Sequence, residues 1–193
     1  MKAAIRQRID ALIPLLKDPD PDVRSTVASA IEQLEVTCDL NDILHALKTG
    51  DTGTRISSIY ALGKIGGEKV IAPLVYCAGR PETDIRAAAV EMLGSLAVPA
   101  TLPALLERLE DQNNAVQARA ITALGNFPPS DELYERLRPF LQADNGEIEG
   151  EAALSLSRLG DFASASAITA LLVSRHASTR KAAAVALSRL PLQ

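Results

Sequence analysis

The sequence predicts an all-α fold: a right-handed α-α superhelix, or solenoid, of six helical hairpins. Three observations predict it. The chain repeats itself at intervals of 31, 31, 31, 32 and 31 residues, marked by Arg24, Arg55, Arg86, Gln117, Glu149 and Arg180. Apolar residues fall in register at helical spacing in the repeats. The 193-residue chain is 47 % apolar yet holds only three Phe, three Tyr and no Trp. A core without aromatics must come from Leu, Ile, Val and Ala, and Leu and Ala are strong helix formers.

The register is carried by three columns. Three residues after each marker stand Val27, Ser58, Ala89, Ala120, Ala152 and Ala183. Seven after stand Ile31, Leu62, Leu93, Leu124, Leu156 and Leu187, and ten after stand Leu34, Ile65, Leu96, Phe127, Leu159 and Leu190. Spacings of 3, 7 and 10 lie on one face of an α-helix. This is the second helix of each hairpin. The first helices are expected near residues 3–17, 41–49, 70–78, 101–110, 132–142 and 164–174, with apolar residues again at helical spacing, as in Leu102, Leu105, Leu106 and Leu109.

Polar turns join the two, such as Asp18-Pro19-Asp20-Pro21-Asp22 and Asp111-Gln112-Asn113-Asn114. Their Asp and Asn can cap the second helix, and Pro suits its opening. Gly66, Pro128, Gly160 and Pro191 stop second helices. One domain over residues 1–193 follows, with repeats at about 3–36, 40–66, 70–98, 101–128, 131–160 and 164–191. A hairpin cannot bury its own apolar stripes, but stacked hairpins can. The single 32-residue interval follows the irregular Asn126–Asp131 joint, which is expected to take the extra residue.

The segment DPDPDVRSTVASAIEQL resembles the HEAT repeat, in which an Asp-rich turn leads into Val-Arg and an Ala/Leu helix. The 31-residue unit is similar to the short HEAT-like class of phycobilisome lyase subunits, and the resemblance covers about residues 3–191. It implies an Asp–Arg ladder between adjacent repeats. By position, Arg24, Arg55, Arg86 and Arg180 would supply it, with Asp18, Asp20, Asp22 and Asp84 as partners. Gln117 and Glu149 interrupt this column, and Arg119 could substitute locally.

No catalytic constellation is legible, so the chain is expected not to be an enzyme. There is no GxSxG, P-loop or GxGxxG. Gly63, Gly66 and Gly67 surround Lys64, but Gly63 shares a repeat position with Gly94 and Gly125, which reads as close helix packing. The histidines are His45 and His176, and the cysteines Cys38 and Cys77. His45, Cys38 and Cys77 lack the spacing of three or four converging ligands. No metal and no cofactor is therefore expected, and both cysteines read as small buried hydrophobes.

A net charge of −4 excludes the basic surplus of a nucleic-acid binder. No apolar run of membrane-spanning length occurs, and Arg6, Arg8 and Asp10 break up the N-terminal segment where a signal peptide would be apolar. A cytoplasmic chain with no membrane partner is expected.

Positions 1, 5 and 9 after each marker point away from the core columns. The resemblance to HEAT-like stacks implies that they line the concave face, where they are expected to hold another protein or peptide. The candidates are Ile56, Tyr60, Lys64, Glu91, Thr122, Asn126, Leu154, Arg158, Lys181 and Arg189. The function expected is a non-catalytic protein–protein interaction scaffold, monomeric or weakly self-associating through a solenoid end. The lyase resemblance implies an alternative, a subunit assisting chromophore attachment.

Overall fold

The computed structural model describes residues 2–191, except for the side chains of residues 2 and 36–38. The expected burial of Cys38 lies outside the described residues. Every regular element among them is helical. None of these helices is long and apolar enough to cross a membrane. Residues 1–65 and 66–193 form two compact units, each described by itself.

The first unit holds α1 (Lys2–Leu12), continued by a 3-10 turn over Ile13–Lys17, then α2 (Pro21–Thr49) and α3 (Thr52–Ile65). Pro14 lacks the N–H that would continue the α ladder, and the helix tightens there. Asp20 caps α2 by accepting from the N–H groups of Asp22 and Val23. The expected break between residues 36 and 40 is absent. Helix α2 runs through it, fusing the second helix of the first repeat to the first helix of the second. The reason is local: no Gly or Pro stands between Asp22 and Thr49, so nothing stops propagation. Gly50 ends it, in an extended conformation.

The second unit alternates first and second helices. These are α4 (Glu68–Ala78) with α5 (Thr83–Leu96), α6 (Leu102–Glu107) with α7 (Asn114–Leu124), α8 (Asp131–Leu137) with α9 (Ile148–Leu159), and α10 (Ala165–Ala170) with α11 (Ala177–Arg189). Helices α6, α8 and α10 each run on into a 3-10 turn. Asn113 caps α7 and Ser130 caps α8.

The first column (Val27, Ser58, Ala89, Ala120, Ala152, Ala183) is buried in all six repeats. Within the second unit the seven-residue column is buried at Leu93, Leu124 and Leu156 and only half-buried at Leu187. Opposing it, buried Leu74, Leu105, Leu137 and Ile168 each precede their marker by twelve residues. The extra residue therefore enters before Leu137, at the Asn126–Asp131 joint.

Second helices pack very close to one another. A Cβ at Gly94 would lie 2.3 Å from Cβ of Ala123, and one at Gly125 2.8 Å from Cβ of Ser155. The expected role of this glycine column as a packing device is what these distances describe.

Candidate functional site

The marker column turns out to brace the turn inside each hairpin. Arg24 donates through Nη1 to the carbonyls of Asp18 and Pro19, at 2.7 and 3.0 Å. Arg86 does the same to Arg80 and Pro81, at 2.9 and 2.7 Å, and Arg180 to Ser174 and Arg175, at 2.7 and 3.2 Å. Each guanidinium thus satisfies the carbonyls five and six residues before it, which the turn leaves without helical partners. Arg55 reaches the Leu47 carbonyl and Gln117 that of Leu109, both eight residues back. Gln117 therefore keeps the function of the column. Arg119 does not substitute for it but faces Glu91 at 3.7 Å.

The expected Asp partners are corrected at the same time. Arg86 makes a bidentate pair with Asp111, at 2.8 and 3.0 Å, not with Asp84. Asp18 accepts from the N–H of Asp20, Asp20 caps α2, and Asp22 sits in the first turn of that helix. A second bidentate pair, absent from the sequence reading, joins Arg138 to Asp161, which also accepts from the Ser164 hydroxyl. Burial pushes the carboxyls of Asp111 and Asp161 up, but hydrogen bonds from Arg86 and Asn113, and from Arg138 and Ser164, outweigh it. Both are held below the ordinary carboxylate value.

Repeat five inverts the column. Glu149 is 1 % exposed. It accepts from the N–H groups of Asn145 and Gly146, at 2.9 and 2.7 Å, and from the Thr179 hydroxyl at 3.0 Å. Asp144 at φ 50° and Gly146 at φ 88° turn these N–H groups toward the column. The first turn of α9 is given up: α9 starts one residue before Glu149, whereas α5 and α7 start three before their markers. The sequence signal was the charge reversal itself.

The candidate binding face divides by unit. On α3, Ile56 is half-buried while Tyr60 and Lys64 are exposed. In repeats three to five the first position of the face is closed: Ala87, Ala118 and Gly150 are buried. The next two positions are stitched between repeats. The Thr122 hydroxyl meets Glu151 at 2.7 Å, Asn126 donates to the Gly94 carbonyl at 3.0 Å, and Arg158 donates to Asn126 Oδ1 at 3.4 Å. Glu91 faces Arg119, and Leu154 is half-buried. Lys181, Val185 and Arg189 stand exposed on α11. Burial, and Arg189 nearby, lower the Arg158 pKa, against a raising contribution from Glu151.

Comparison with known proteins agrees with this architecture. Over 79 residues the chain is 35 % identical to the phycocyanobilin lyase subunit alpha of Synechococcus elongatus, covering 41 % of this chain and 29 % of that protein. The matched stretch thus spans less than a third of that relative's length. Among solved structures, the complex of CpcE and CpcF of phycocyanin lyase from Nostoc is similar with a TM-score of 0.64 at 17 % identity, over 78 % of this chain and 98 % of that one. YibA of Escherichia coli gives 0.64 at 18 % identity, over 97 % and 74 %. A designed armadillo repeat protein in complex with the peptide (KR)4 gives 0.55 at 16 % identity, over 95 % and 99 %. Residues 9–94 and 102–188 match the HEAT repeats family. With most of its length accounted for in this way, the chain belongs to the HEAT repeat family.

Proposed function

We propose that this chain is a non-catalytic scaffold whose second-helix face holds another protein or a peptide. One observation carries the reading. The core columns are alike from repeat to repeat, while the adjacent face of each unit keeps large side chains at its surface, Tyr60 and Lys64 in the first and Arg158, Lys181, Val185 and Arg189 in the second. Extended repeat surfaces of this kind suit protein and peptide ligands, and Tyr and Arg are favoured interface anchors. Two structural neighbours are recorded in complexes, one with a second protein and one with a peptide.

The test is affinity capture from the native source with the intact chain as bait. Tyr60→Ala combined with Lys181→Glu and Arg189→Glu should lose the captured partner while helical circular dichroism is unchanged. Undiminished capture by a folded triple variant overturns the reading.

The named lyase relative favours a second reading, a subunit that assists chromophore attachment, and stands in tension with a purely non-catalytic role. Co-expression with phycocyanobilin and an acceptor protein decides it. Covalent visible absorbance that depends on this chain establishes the second reading, and its absence leaves the scaffold.

A further inference from the structure

The unusual turn of repeat five gathers three metal-ligating groups. Ligand atoms of Asp144, Glu149 and His176 lie within 4.8 Å of one another. They come from three places: the left-handed turn residue, the inverted column position and the N-cap of α11. We propose that these side chains form a binding site for a divalent transition metal, with Zn2+ the best match to one imidazole and two carboxylates.

Four features support the assignment. First, the Glu149 carboxylate is held in place by donors on Asn145, Gly146 and Thr179. These bonds orient it as outer partners orient metal ligands. Second, the His176 ring lies against Gly146, where a Cβ would come within 3.0 Å of Cγ and Nδ1. The ring is thereby fixed with Nε2 3.6 Å from Asp144 Oδ1, close to the spacing of two ligands on one zinc.

Third, a cation already sits on this pair. Arg175 Nη2 contacts Asp144 at 2.9 Å, and its Nε donates to His176 Nε2 at 3.1 Å. Fourth, Arg175 is 69 % exposed, so it can swing into water when a stronger cation arrives. With Zn–N and Zn–O bonds of about 2.0–2.2 Å, the widest present separation must close by roughly 1 Å.

The experiment is isothermal titration of untagged, EDTA-treated full chain with ZnCl2, with MnCl2 in a parallel arm, followed by thermal melts. One Zn2+ per chain and a raised Tm are expected. His176→Gln and Asp144→Asn should each weaken binding by roughly 10-fold or more, the low end for disturbing a metal's surroundings. Arg175→Ala should keep or tighten binding several-fold, because the competing cation is gone. His45→Gln should bind as the unaltered chain does. The proposal is overturned if no saturable Zn2+ binding is seen, or if folded His176→Gln binds unchanged. Weaker binding in Arg175→Ala also overturns it, since the arginine would then belong to a closed ion-pair cluster.

Discussion

Arg86 and Glu149 occupy the same place in repeats three and five, carry opposite charges, and do the same work. Both tie the turn inside their hairpin to the start of the second helix. Arg86 faces carbonyls and donates to them. Glu149 faces N–H groups and accepts from them. What the repeat requires at this position is satisfaction of the turn's backbone, and the turn's dihedral angles choose the sign of the charge. Burying either group without its partners would cost far more than an exposed pair contributes.

The sharpest way to break this equivalence is to impose the common residue on the inverted turn. Glu149→Arg should cost about 5 kcal/mol in urea unfolding, because it sets a buried cation against N–H donors. Recovery of normal stability would sink the comparison.

Arg86→Ala comes next. It removes the bidentate partner of Asp111 and leaves two carbonyls unpaired, and should cost about 3 kcal/mol by the same measurement. Gly94→Ala tests the close helix approach that sets the columns side by side. Its Cβ would collide with Ala123, and a loss of about 1–3 kcal/mol is expected.

Acid titration probes the ladder from the other side. The folded pKa values of Asp111 and Asp161 lie below the unfolded value of 3.8. Their contribution is complete above that value and is lost as pH falls from it toward the folded values. A loss of stability in acid unfolding is expected across that window, and Arg86→Ala should flatten the Asp111 share. Smallest of all is Arg24→Ala. This arginine braces its turn from the exposed surface, and its loss should stay under about 1 kcal/mol. A larger effect would mean that exposure does not grade the column.

Much of this was legible in the sequence. The 31-residue interval places the apolar columns and the second helices. What periodicity hid is also instructive. It called for a break near residue 38, while the local sequence, free of Gly and Pro from Asp22 to Thr49, had no means to make one. Asp111 was passed over as the partner of Arg86 because it lies 25 residues on, in the next repeat's turn. Position on a helix was readable for Ala87, Ala118 and Gly150, but their burial was not, since it depends on how closely neighbouring helices approach. Asp144, Glu149 and His176 escaped any spacing rule because a repeat fold brings together residues about one repeat apart.

The fused helix Pro21–Thr49 carries a dynamic consequence. At 29 residues it is about 44 Å long. Repeats joined by loops can open singly, each with its own free energy. Here one hydrogen-bonded rod belongs to two repeats, and unravelling either strips the other of a helix. Amide protons along the whole rod should therefore exchange as a single cooperative block, with one shared protection free energy where separate hairpins would show two.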